Sequence, residues 1–130
     1  MSQALPQGSV VAVIGSGAMG TGIAQVAAAA GYTVKLYDAR AEAVQASITG
    51  ICNMYGKLAE KGKMTDEEVS SASDRLSGAA TLADVADAAI VIEAIVESLD
   101  VKRTLFADLE AVVSDDCILA TNTSSISVTA

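Results

Sequence analysis

The stretch "VVAVIGSGAMGTGIAQ", residues 10 to 25, limits what this chain can fold into more than any other. Val10 to Ile14 is a continuous apolar run, the pattern of a strand buried on both faces. The run stops at Gly15, and an alanine-rich segment from Ala18 to Ala30 reads as a helix, with Gly31 placed to end it. A β-rich, alternating segment, Tyr32 to Asp38, follows at once. A strand–helix–strand unit closed in roughly thirty residues suits a right-handed crossover between parallel strands.

The alternation continues. Ala41 to Lys61 is helical, "KGKM" turns the chain, and Thr65 with Glu68 forms a capping-box signature that starts a second helix to about Arg75. "SGAATLADVADAA" reads as loop and short elements. Ala89 to Ala94 is a buried strand, Leu99 to Val113 an amphipathic helix, and Cys117 to Thr121 a further strand before "NTSSISVTA". This order predicts an α/β fold with a Rossmann-type doubly wound parallel sheet. One domain is expected over residues 1–130, with a helical hairpin inserted at about 41–76. Hydrophobic residues make up 52% and aromatics 3%, so the core is expected to be aliphatic and alanine-packed, which lets helices lie close to a sheet.

A formal charge of −8 disfavours a broad nucleic-acid-binding face, so an anionic ligand has to be met locally, by backbone N–H groups or a few lysines. Cys52 and Cys117 lack metal-ligand spacing and read as free thiols in a reducing compartment; no metal site is expected. "MSQALPQGS" has no targeting pattern, and the longest apolar run is interrupted by Glu93 and too short to span a bilayer. The expectation is a soluble, cytoplasmic domain without a membrane partner.

A G-x-G-x-x-G pattern gains meaning from standing between a buried strand and a helix. Gly15 permits the tight turn, Gly17 lets a pyrophosphate approach the backbone, and Gly20 lets the helix pack against the sheet. With Ala18 and Met19 these glycines form the candidate cofactor loop, whose helix start offers free N–H groups to phosphate. Asp38, eighteen residues after Gly20, is placed to accept both hydroxyls of the adenosine ribose and to repel a 2′-phosphate. That favours NAD over NADP; the competing reading of Asp38 is a turn-forming aspartate. Arg40 is compatible with a lid over the adenine, a hold on a 2′-phosphate, or a solvated charge.

With these residues placed, the chain resembles the N-terminal NAD-binding domain of the 3-hydroxyacyl-CoA dehydrogenases. Four stretches carry the resemblance: "GSGAMGTGIAQVAAAAGYTVKLYD", "KLAEKGKMT", "VIEAIVESLDVKRTLFADLE" and "CILATNTSSIS". The first is shared by many dinucleotide-binding enzymes; the last two and the helical hairpin are far more specific. The resemblance implies oxidation of the 3-hydroxyl of a fatty acyl-CoA, with hydride passing to NAD. It implies that Ala94 and Glu97 lie beside the cofactor with Asn122, and that Lys102 reaches towards the nicotinamide ribose. Ser124 would hydrogen-bond the substrate oxygen, and Lys61 would contact coenzyme A phosphates. Taken alone, Glu97 is equally a first-turn carboxylate, Lys102 an exposed helix lysine, and "NTSS" a turn or cap. Met54 stands where the family has a serine facing coenzyme A.

Alcohol oxidation needs a proton acceptor, usually histidine, and this chain has none. In the family a histidine held by a glutamate follows the "NTSS" turn, and a C-terminal helical domain completes the acyl cleft and the homodimer. The expectation is therefore the cofactor half of such an enzyme, inactive alone. Two rivals remain at this point: the cofactor domain of a β-hydroxyacid or 6-phosphogluconate dehydrogenase, and a non-catalytic dinucleotide sensor.

Overall fold

A computed structural model of the chain describes residues 8–94, 99–113 and 117–121. The elements run β1 (Val10–Ile14), α1 (Ala18–Ala29), β2 (Thr33–Tyr37), α2 (Ala41–Glu60), α3 (Asp66–Asp74), β3 (Leu76–Gly78), a 3-10 turn (Leu82–Val85), β4 (Ile90–Glu93), α4 (Leu99–Val112) and β5 (Ile118–Thr121). The five strands form one sheet in the order β3-β2-β1-β4-β5, and every pairing is parallel. The chain runs outward from β1 to β3, then returns to β1's other side for β4. The C-terminal ends of β1 and β4 are thus the switch point, where open α/β sheets leave a ligand crevice.

Helix ends follow local chemistry. At the end of α1, Gly31 takes φ 107°, and the N–H groups of Gly31 and Tyr32 donate to Ala28 and Ala27 at 3.2 and 3.1 Å. Gly62 (φ 74°) and Lys63 repeat this at the end of α2, donating to Ala59 and Leu58 at 3.0 and 2.8 Å. Both are the paired bonds of a Schellman motif, which satisfies the last carbonyls of a helix. Thr65 caps α3 reciprocally with Glu68, at 3.0 Å to the Thr65 hydroxyl and 2.8 Å to the Glu68 carboxylate.

The hairpin α2–α3 is the whole crossover from β2 to β3. Strand β3 is absent from the sequence expectation; it starts at Leu76 and runs into the first two residues of the segment read as loop and short elements. It pairs with Val34–Leu36 at the sheet edge, and only Leu76 of its three residues is buried.

Helices α1 and α2 cover β1 to β3 on one face. Across that face the register row Leu76, Val34, Val11, Ile90, Ile118 starts buried and ends at Ile118, 52% exposed. Ile90 and Ile92 are only half-buried. On the other face Ala12 and Val91 are sealed by the 3-10 turn and by α4, whose Leu109 is fully buried against them. Helix α2 buries Val44, Ser47, Ile51 and Tyr55 along one stripe. The Tyr55 hydroxyl donates to the Gln25 carbonyl of α1, and burial, with the Cys52 thiol nearby, pushes its pKa up to about 12. Among the described residues no helix is long and apolar enough to cross a membrane.

Candidate functional site

The glycine loop stands at the C-terminal end of β1, where Gly15 takes φ 109°, a conformation that L side chains rarely adopt. Its N–H donates to the Tyr37 carbonyl at 2.7 Å, which ties the turn to the end of β2. Gly17 is the N-cap of α1, and a Cβ built there meets nothing within 4 Å. At Gly20 a Cβ would fall 1.7 Å from the Gly15 carbonyl oxygen. The two glycines do different work: one keeps the helix against the loop, the other leaves open space before the helix start. Ala18 and Met19 are exposed beside that space, Met19 by 50%.

Asp38 faces the loop. Its Oδ2 accepts from both the N–H and the hydroxyl of Ser16, each at 2.9 Å, and its Oδ1 accepts from the Arg40 N–H at 3.0 Å. Burial pushes the carboxyl up, but the Arg40 and Ser16 N–H groups, the Ser16 hydroxyl and the Arg40 charge outweigh it. The group is held below its ordinary value of 3.8. A carboxylate so placed stays ionised and available to ribose hydroxyls at neutral pH.

A depressed pKa in the folded state stabilises the fold above the unfolded value and loses that contribution as pH falls through the folded one. The parent's stability to urea is therefore expected to fall steadily as pH drops below about 3.8. Asp38→Asn should flatten that part of the profile, and an unchanged acid limb would contradict the assignment.

Of the other sequence-derived positions, Ala94 is buried at the end of β4, its N–H donating to the Ile14 carbonyl at 2.8 Å, so it borders the crevice. Arg40 is exposed at the start of α2. Lys61 caps the far end of that 20-residue helix, about 30 Å from Arg40 at 1.5 Å per residue, so the fold does not bring it to the cofactor loop. Met54, also on α2, is 41% exposed. Lys102 lies on α4. Glu97, Asn122 and Ser124 lie outside the described residues. No group of three or more potential metal ligands occurs among the described residues, where Cys52 and Cys117 are free thiols.

Sequence reading missed the residues behind the loop. Thr21 Oγ1 donates to the Ser16 carbonyl at 3.0 Å and lies 2.5 Å from Ser47 Oγ on α2. The available signal was Ser47 itself, a hydroxyl on the same stripe as Val44, Ile51 and Tyr55. Glu93 was also passed over; it is fully buried at the end of β4, in register with Ile14.

A glycine turn with open space before a helix start, a carboxylate turned to that loop from the end of the next strand and a parallel sheet with its switch point alongside define a Rossmann-type dinucleotide-binding domain. Residues 10–130 match the family "3-hydroxyacyl-CoA dehydrogenase, NAD binding domain", and the chain belongs to that family. It is 43% identical over 119 residues to a probable 3-hydroxybutyryl-CoA dehydrogenase of Bacillus subtilis, covering 92% of this chain and 42% of that protein. It is 48% identical over 120 residues to the 3-hydroxyadipyl-CoA dehydrogenase of Escherichia coli, covering 92% and 25%. The crystal structure of 3-hydroxybutyryl-CoA dehydrogenase from Escherichia coli K12 superposes with a TM-score of 0.89 at 46% identity, over 95% of this chain and 26% of that one. The chain thus spans less than half the length of these relatives. The family match sets aside the 6-phosphogluconate-type rival, and the cofactor is NAD.

Proposed function

We propose that the protein to which this chain belongs oxidises the 3-hydroxyl of an acyl-CoA to a ketone, and that this chain supplies its cofactor site. The observation that carries the reading is the pairing of an open Gly17 with an Asp38 carboxylate turned to the same loop. NAD, when bound, supplies the hydride acceptor. The chain's own groups hold it: loop amides take the diphosphate and Asp38 takes the adenosine ribose. The family resemblance supports further roles. Ala94, Glu97 and Asn122 would lie beside the cofactor, Lys102 would reach towards the nicotinamide ribose, Ser124 would hydrogen-bond the substrate oxygen, and Lys61 would meet coenzyme A phosphate.

With no histidine in its 130 residues, the chain is proposed to bind cofactor without turning it over. The proton acceptor would belong to the part of the relatives' length that this chain does not span, as would the contacts of a homodimer. Free thiols at Cys52 and Cys117 favour a cytoplasmic setting. Mixing the chain with NADH and acetoacetyl-CoA tests this directly. The expected result is saturable NADH fluorescence with no consumption above a protein-free blank. Turnover would overturn the placement of the base, and absence of NADH binding would overturn the cofactor role.

A further inference from the structure

Three hydroxyls behind the glycine loop are wired in one direction. The hydrogen of the Thr21 hydroxyl is spent on the Ser16 carbonyl at 3.0 Å, so the Ser47 hydroxyl, 2.5 Å away, must donate to Thr21. Ser16 in turn donates through its N–H and its hydroxyl to Asp38. The consequence lies in the peptide between Ser16 and Gly17. It is a planar trans amide, so its carbonyl and its N–H point in opposite directions. Anchoring the Ser16 carbonyl to Thr21, on the side of α2, sends the Gly17 N–H away from α2. Gly17 is exposed, and the space beside its Cα is open. Without the Thr21 hydroxyl this peptide has lost a side-chain anchor, and a glycine on one side leaves it free to rotate.

We propose that Thr21 is a positioning residue for the cofactor: backed by Ser47, it fixes the Ser16–Gly17 peptide so that the Gly17 N–H meets the diphosphate and Ser16 keeps Asp38 aimed at the ribose. This rests on the reading of the loop as the NAD site and adds to it two residues that touch no cofactor. Both lie outside the glycine pattern.

The test is an NADH titration by fluorescence on the parent, Thr21→Ser and Thr21→Val, each kept well below its thermal midpoint. Removing one hydrogen bond from the loop should raise the Kd of Thr21→Val about tenfold, whereas Thr21→Ser, which keeps the hydroxyl, should stay within about twofold. A merely structural threonine would lower the thermal midpoint of Thr21→Val and leave the Kd alone, and that result overturns the proposal. Should Thr21→Val fail to fold, the parent decides by nuclear magnetic resonance with ADP-ribose as probe. The Gly17 amide proton is expected to move downfield on saturation; a resonance that stays put while NADH still saturates overturns the inference alone. A parent that binds no NADH overturns both it and the reading beneath it.

Discussion

Gly20→Ala is expected to lose about 3 kcal/mol of stability, the upper end of what overpacking costs, and to lower the thermal midpoint by roughly 10 °C. The reason is geometric. The new Cβ would sit 1.7 Å from the Gly15 carbonyl oxygen and 2.8 Å from its carbon. The obstacle is backbone, so no side-chain rotation relieves it. Either α1 moves off the sheet or the turn at Gly15 opens, and that turn is already confined by φ 109° and its bond to the Tyr37 carbonyl. Both routes disturb the N–H groups at the start of α1, so NADH binding should fall with stability. Differential scanning calorimetry checks the first effect; a midpoint within about 2 °C of the parent would show that the loop has slack this geometry denies.

Gly17→Ala separates the two quantities. Its φ of −70° suits any residue, its Cβ meets no protein atom within 4 Å, and the cost of alanine as a poorer N-cap is offset by the smaller entropy it loses on folding. The thermal midpoint should hardly move. Binding should suffer badly, because the open volume is what the diphosphate needs to reach the amides. A rise in the NADH Kd of roughly a hundredfold, about 2.7 kcal/mol, is expected by fluorescence titration. Equal loss of stability and binding would mean that Gly17, like Gly20, only serves packing. The pair thus distinguishes a glycine kept for the fold from one kept for the ligand.

What the sequence disclosed in advance was whatever is decided over a few neighbouring residues. Gly31 ends α1, Thr65 and Glu68 cap α3, and the apolar run at β1 marks a doubly covered strand, because each signal acts within one turn or one pleat. Strand β3 escaped notice for the opposite reason. "LSG" has no strand pattern of its own, and it is extended because Val34 to Leu36 offer it an edge. The same divide runs through the site. The glycines and Asp38 stood out by spacing, and the fold brings them together. Ser16, Thr21 and Ser47 did not, because Ser16 reaches Asp38 across 22 positions and Thr21 reaches Ser47 across 26. Such contacts become visible only once β2 lies against β1 and α2 lies against α1.

The hydrogen bonds at Asp38 also show how an acidic chain can hold an anionic cofactor. The carboxylate is satisfied by Ser16 and Arg40 before any ligand arrives, so its charge is fixed beside the loop without spoiling the fold. In the proposed site the positive end of α1 meets the diphosphate, and the negative group stands one strand away, where sugar hydroxyls are wanted and a further phosphate is not.

Parallel titrations of the purified chain with NADH and NADPH, read by nicotinamide fluorescence at one salt concentration, therefore bear on the whole assignment at once. Saturable NADH binding, with NADPH at least about tenfold weaker, is the expected outcome. Equal or tighter binding of NADPH, or no saturation by either dinucleotide, would contradict it.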